Sequence, residues 1–272
     1  MQTARAERLV YLQTPPQQDG KKPLWHEILA PAEFPWLLMS EVWRGKGIPH
    51  GDGSSVFLLP GFMVGDPTLY MMEDWLRRID YEPKYVGIGS NTDPERYTFK
   101  LIERSREEYK RTGRRSHYIG HSLGGTIARA AAVLDPEPVI SVNTLASPIS
   151  DDIEKYVDPF VYELARRLIP LLDESKESIQ RKEALLSHLP EHIIGNSIHT
   201  KSDGVVNWRG TIDTRPNSRN VEVRGSHVGL VFNPEAYKKI AQFLHEAKEA
   251  QPIKTENIII FPTSKIFSRP SA

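Results

Sequence analysis

Arg115-Ser-His-Tyr-Ile-Gly120 runs straight into His121-Ser122-Leu123-Gly124-Gly125, and then into Thr126-Ile-Ala-Arg-Ala-Ala-Ala-Val-Leu134. A β-prone segment, a Gly-x-Ser-x-Gly turn and an Ala-rich helical stretch, in that order, are the context a strand-to-helix elbow requires. A serine on so sharp a turn takes a strained backbone conformation with its oxygen lifted clear of the sheet. Gly120 and Gly124 let neighbouring backbone approach without Cβ clashes. The helix N-terminus behind the turn adds free N–H groups and a positive dipole end, which favour negative charge beside the serine. Ser122 is therefore the leading nucleophile candidate. Gly-Gly after a strand is also ordinary turn chemistry, so the motif takes its weight from the strand before it and the helix after it.

The rest of the chain repeats the alternation. Apolar runs bounded by turn residues predict strands at Val56–Leu59, Lys84–Ile88, His117–Gly120, Val139–Leu145, His192–Ile198 and Val221–Arg224. Helical stretches separate them, at Pro31–Trp43, Pro67–Ile79 and Pro94–Lys110 among others. Strands alternating with helices predict an α/β fold, a mostly parallel sheet of about six strands with functional loops at the strands' C-terminal ends. At 272 residues the chain is long enough for one large α/β domain or two small ones. Residues 1–23 read as a polar arm, 24–148 and 191–250 as the α/β core, 149–190 as a helical insertion and 251–272 as a tail.

The insertion exceeds what a crossover helix needs. Asp158 can cap and Pro159 can open a helix whose apolar stripe is Phe160, Val161, Leu164, Ala165, Leu168 and Ile169. Ile179, Ala184, Leu185, Leu186 and Leu189 predict a second. Leaving the sheet at a C-terminal strand end, the pair is placed to fold over the elbow as a cap; an ordinary packed hairpin is the alternative.

Composition narrows the function classes. Thirty-five basic residues balance 35 acidic ones, so no global field draws the chain to nucleic acid or an anionic membrane. Without cysteine there are no disulfides, thiol nucleophiles or Cys-type metal sites, which fits a reducing compartment. No signal-like or membrane-spanning run stands out, so the expectation is a soluble, cytoplasmic protein without integral membrane association.

An activated serine needs a general base within hydrogen-bond reach and a carboxylate that orients the base. His227 lies on the Gly-flanked loop Arg224-Gly-Ser-His-Val-Gly-Leu230, after the last strand and before a helix opened by Asn233-Pro234. Asp203, in Ser202-Asp-Gly-Val-Val206, follows the preceding strand and comes to the same sheet edge, although Asp-Gly is also a common turn signal. Asp151 and Asp152 are the reserve acids, better suited to capping the insertion's first helix. For a developing oxyanion, the backbone N–H of Leu123 and of Phe62, in Pro60-Gly-Phe-Met63 after the first strand, are the expected donors, with Met63 next in line.

The order Ser122, Asp203, His227, with Leu-Pro-Gly-Phe62 upstream, Ser-Asp-Gly-Val-Val after one strand and Gly-Ser-His-Val-Gly-Leu after the next, resembles the lipase and esterase branch of the α/β-hydrolase superfamily. It is particularly similar to small bacterial α/β-hydrolases of ill-defined substrate, over about Leu37 to Leu244. The resemblance implies the α/β-hydrolase fold with a helical cap insertion, and a serine hydrolase acting on a small-molecule ester or lipid-like substrate without cofactor or metal. Many relatives carry His-Gly where this chain has Pro60-Gly61, which matters little to a backbone donor, and the insertion is long for the group. Acyl transfer, thioester or amide hydrolysis on the same triad, and ligand binding without catalysis, are the alternatives.

Of the other histidines, His121 is expected to pack beside the nucleophile, and His117, His192 and His199 lack metal-ligand spacing. Trp208, Phe62, Met63, Met71 and Met72 are candidates for an acyl pocket or for core. Ile258-Ile-Ile-Phe261 in the tail reads as an added edge strand or a docking segment.

Overall fold

The computed structural model describes residues 22–169 and 176–249; most of the polar arm, and the tail with Ile258 to Phe261, lie outside them. Among the described residues, six parallel strands form one sheet in the order β2-β1-β3-β4-β5-β6. They are β1 (Ser55–Leu59), β2 (Glu82–Tyr85), β3 (Ser116–His121), β4 (Val139–Leu145), β5 (Ile194–His199) and β6 (Ser218–Glu222). The eight α-helices among the described residues are α1 (Ala30–Met39), α2 (Tyr70–Arg78), α3 (Pro94–Thr112), α4 (Leu123–Leu134), α5 (Ile153–Tyr156), α6 (Pro159–Leu168), α7 (Lys176–Leu186) and α8 (Pro234–Glu249), with a 3-10 helix, Leu24–Leu29, leading into α1.

Strand alternation divides the core. Val56 and Leu58 of β1 join Ile119, Leu145 and Ile198 on one face, under Met72, Trp75 and Leu76 of α2 and Tyr237, Ile240 and Leu244 of α8. Phe57 and Leu59 point the other way and pack with Tyr118 and Val142 against Leu101 of α3 and Ile127, Ala128 and Ala131 of α4. With both faces buried, Val56 to Leu59 of β1 are all apolar, which is why the segment reads as an unbroken run.

The two edge strands depart from expectation. β2 is Glu82–Tyr85 rather than Lys84–Ile88, its backbone paired with Ser55 to Leu58. Val86 and Ile88 are buried beyond the ladder, where Gly87, at φ +83°, turns the chain and Asp66 Oδ2 accepts the N–H of Gly87 and Ile88. β6 begins at Ser218 rather than Val221, paired with Gly195 to His199. An edge strand pairs on one side and is half exposed, so its residues need not be apolar.

The insertion divides in two. Ala184 and Leu185 of α7 form a small core with Ala130 of α4 and Ile149, so α7 packs against α4 in the layer of helices on that face. α5 and α6 bury no residue; Phe160 and Leu168 of the apolar stripe are exposed. Asp158 caps α6 as expected, its Oδ1 accepting the N–H of Phe160 and Val161. The start of α6 is tied to the loop after β5 by Asp158 N–H to Val205 O (2.7 Å) and Asn207 N–H to Tyr156 O (2.7 Å).

A buried ionic cluster fastens the end of α7 to α4 and to the loop before β6. Arg129 of α4 donates to Asp213 Oδ2 (2.8 Å) and to the carbonyls of Leu185 and Ser187. Arg215 donates to Asp213 Oδ1 (2.6 Å) and to the carbonyls of Leu185 and Ile149. No helix among the described residues is long and apolar enough to cross a membrane.

Candidate active site

All six strands run the same way, so the loops after β1, β3, β5 and β6 emerge on one rim. Ser122, between β3 and α4, has φ 52° and ψ −122°, a sterically costly conformation for a residue with a Cβ. Its neighbours over-determine that geometry. Ser122 N–H donates to Leu145 O (2.8 Å), and Gly125 N–H donates back to Ser122 O (3.0 Å). A Cβ at Gly120 would collide with the backbone of Gly124 and Gly125, and one at Gly124 with the carbonyl of Leu59. Those two glycines let the first turn of α4 press onto β3 and the end of β1.

The loop after β1 lies against this turn: a Cβ on Gly61 would be 3.0 Å from His121 Nδ1 and 3.4 Å from Ser122 Cβ. Asn91, fully buried, holds the loop by donating from Nδ2 to Pro60 O (2.7 Å) while its own carbonyl accepts Met63 N–H (3.1 Å). That bond occupies Met63 N–H, which leaves Phe62 as the loop's candidate oxyanion donor. Leu123 is the first residue of α4, where the helical ladder supplies no acceptor for the N–H.

The base and acid loops meet the elbow. His227 Nδ1 donates to Asp203 Oδ2 (2.8 Å), and both side chains are almost fully buried. Asp203 Oδ1 meanwhile accepts the N–H of Val205 (2.8 Å) and Val206 (2.7 Å). The turn role and the orienting role are therefore not alternatives, since each takes one carboxylate oxygen. Holding the imidazole proton on Nδ1 leaves Nε2 free to accept one. No hydrogen bond joins Ser122 Oγ to His227 Nε2 in this resting geometry; such bonds often tighten only when substrate binds.

Burial works to lower the His227 pKa, but the charge and hydrogen bond of Asp203 and the charge of Glu27 outweigh it and raise the value. His121 behaves oppositely: burial, reinforced by His227, depresses it to about 3, so its ring is neutral. His121 Nε2 donates to the His227 carbonyl (3.0 Å), with ring centroids 4.9 Å apart, and so braces the base loop on the elbow.

The other candidates separate. Asp151 and Asp152 are exposed; Asp152 stands at the N-cap of α5 but its side chain caps nothing. His117 is buried against Ser141, and His199 stacks on Trp208 at 5.8 Å. Met72 is core and Met71 packs on it, whereas Met63 is exposed at the rim. Among the described residues, no group of three His, Cys, Asp or Glu side chains is placed to hold a metal ion.

Three participants were not apparent beforehand: Asn91, Glu27 and Glu33. Glu27 accepts backbone N–H bonds from Gly204, His227 and Val228, and Glu33 accepts one from Ser226. No local motif marks a carboxylate that works on a loop roughly two hundred positions away.

No protein-family model and no curated protein matches the sequence. Solved structures do match its fold. An alpha/beta superfamily hydrolase from Oenococcus oeni superposes with a TM-score of 0.51 at 18% identity, over 73% of this chain and 94% of its own. A metagenome-derived lipolytic enzyme gives 0.54 at 14% identity, over 73% and 96%. A soluble variant of monoglyceride lipase from Saccharomyces cerevisiae gives 0.54 at 14%, over 74% and 90%. With an all-parallel sheet, helices on both faces and an elbow serine between β3 and α4, the chain has the fold of the α/β-hydrolase superfamily.

Proposed function

We propose that this protein is a serine hydrolase that cleaves carboxylic esters through an acyl-enzyme. Ser122 Oγ attacks the ester carbonyl carbon while His227 Nε2 takes its proton, and Asp203 holds the imidazole and stabilises the imidazolium. The N–H groups of Phe62 and Leu123 bind the oxyanion. Collapse of the tetrahedral intermediate breaks the bond to the alkoxy oxygen, which leaves as the alcohol with the proton from His227. Water, deprotonated by His227, then attacks the acyl carbonyl, releases the acid and restores Ser122.

The observation that carries this reading is the Asp203–His227 hydrogen bond, held by His121 against the turn that keeps Ser122 at φ 52°. Such backbone strain persists only where its surroundings enforce it, and it clusters at functional sites. Met63, beside Phe62, and Val228, beside His227, are exposed apolar side chains on the rim, suited to an acyl chain. The α5–α6 segment, tied to the Asp203 loop and carrying exposed Phe160, is the part of the insertion that serves as a cap.

A fluorophosphonate probe is expected to label the protein once, with the adduct on Ser122 by peptide mapping; no labelling, or labelling elsewhere, overturns the reading. Because the base must be neutral and its pKa is raised, kcat/KM for a p-nitrophenyl ester is expected to fall on the acid side with a midpoint above the ordinary 6.5. A midpoint below that value would mean that His227 is not the group being titrated.

A further inference from the structure

The loops carrying Asp203 and His227 are joined to each other by a third element, the helical segment near the N-terminus. Glu27, in the 3-10 turn Leu24–Leu29, accepts Gly204 N–H (2.8 Å) and His227 N–H (3.1 Å) on Oε1, and Val228 N–H (2.8 Å) on Oε2. Glu33, in α1, accepts Ser226 N–H (2.7 Å) on Oε1 and the Asn233 amide (3.3 Å) on Oε2. Four backbone donors, one beside Asp203 and three at or beside His227, thus converge on two carboxylates from one short stretch. Hydrogen bonds to an ionised acceptor are roughly twice as strong as neutral ones.

The glycines of both loops give independent testimony, because they clear the space the carboxylates use. A Cβ at Gly229 would collide with the Glu33 carboxylate, and one at Gly225 would lie 2.8 Å from its Oε2. At Gly204 a Cβ would meet Pro23 O at 2.9 Å and Glu27 Oε1 at 3.1 Å. Asp203-Gly204 and Gly225-Ser-His-Val-Gly229 are therefore shaped to receive this segment.

We propose that Glu27 and Glu33 are positioning residues that lock the acid and base loops in register by holding their backbone N–H groups, with Glu27 also acting on the imidazole through its charge. The inference rests on the serine hydrolase reading of the site. Among the described residues, three ionisable groups face the His227 ring or its backbone: Asp203 from the loop after β5, His121 from β3 and Glu27 from the N-terminal turn. Of these, His121 is neutral, so the charge that tunes the base comes from the two carboxylates.

The test is Glu27→Gln in the full chain, read by kcat and KM on a p-nitrophenyl ester and by the proton NMR titration of the His227 ring. A carboxamide keeps one acceptor but turns an NH2 toward a backbone N–H, and it removes the charge. We expect kcat to fall about 10–100-fold with KM little changed, and the His227 midpoint to move to lower pH. Glu27→Asp retains the charge but shortens the reach by one methylene, so kcat falls while the midpoint stays near that of the parent. Glu33→Gln lowers kcat and leaves the midpoint in place. A merely structural anchor would lower the melting temperature in each variant without moving the midpoint of the folded protein.

A Glu27→Gln protein with kcat within about twofold of the parent and an unmoved midpoint overturns the proposal. The titration needs no turnover, which separates the two failures. A protein that no fluorophosphonate labels, yet whose His227 midpoint drops in Glu27→Gln, loses the hydrolase reading and keeps the clamp. A labelled, active enzyme indifferent to Glu27 loses the clamp alone.

Discussion

Ser122→Ala is expected to lower turnover of a p-nitrophenyl acyl ester by about 10⁴–10⁶-fold, the range seen when the nucleophile of a triad is removed. The fold should not follow. The Ser122 side chain caps nothing in α4, and alanine keeps the same Cβ at the same positive φ, so far-UV circular dichroism and melting temperature should match the parent. Ser122→Gly sharpens the test. Glycine accepts φ 52° without penalty, so this variant is expected to be equally inactive yet more stable, by about 1 kcal/mol. Stability gained while activity is lost would identify the elbow's strain as functional. Retention of turnover within about tenfold by Ser122→Ala would remove Ser122 from the mechanism.

Arg129→Met carries the largest expected effect on stability. The guanidinium and Asp213 are both almost wholly buried, and the same arginine ties down two carbonyls at the end of α7. Burial depresses Arg129 to about 10 against the pull of Asp213, so it remains charged at neutral pH. Removing one partner of a buried pair leaves an uncompensated charge and costs about 3–5 kcal/mol. Arg215 still holds Asp213 Oδ1, which argues for the lower part of that range. In a chain of this size the melting temperature should drop by about 6–15 °C. A fall of under about 1 kcal/mol would mean that the cluster is not under this electrostatic load.

The pH dependence of that cluster has a definite sign. Burial works to raise the Asp213 pKa, but the charges of Arg129 and Arg215 outweigh it and lower the value. A carboxyl depressed in the fold contributes stability that is complete above its unfolded value, and that stability is lost as pH falls through the folded one. The gap between parent and Arg129→Met should accordingly narrow on acidification.

The elbow, the central strands and the meeting of Ser122, Asp203 and His227 at one sheet edge are legible in the sequence for a common reason. β1 is buried on both faces and reads as the apolar run Val56–Leu59, β3 and β4 are buried along most of their length and lie between turn residues, and Ser122, Asp203 and His227 each follow a strand of a parallel sheet, which sends them to one rim. The edge strands were misplaced by two or three residues because Glu82-Pro-Lys-Tyr85 and Ser218-Arg-Asn-Val-Glu222 pair through backbone alone and carry no apolar period. The insertion was read as two helices of one kind. In the fold α7 packs on α4 while α6 buries no residue, a distinction set by which neighbour α7 meets: Ala130 on α4.

Sequence by itself determined the α/β class, the strained turn at Ser122 and the placement of Asp203 and His227 on the same rim, because apolar runs between turn residues, a glycine-flanked turn and strand-end placement are all written locally. Tertiary structure alone decided that Met63 N–H is taken up by Asn91, that Asp203 serves turn and imidazole together, and that Glu27 and Glu33 gather both loops. Each of those depends on hydrogen bonds between groups far apart along the chain, such as Asn91 with Met63 or Glu27 with Val228. A donor's availability is settled by whichever acceptor folding brings within about 3 Å, and no local pattern encodes that meeting.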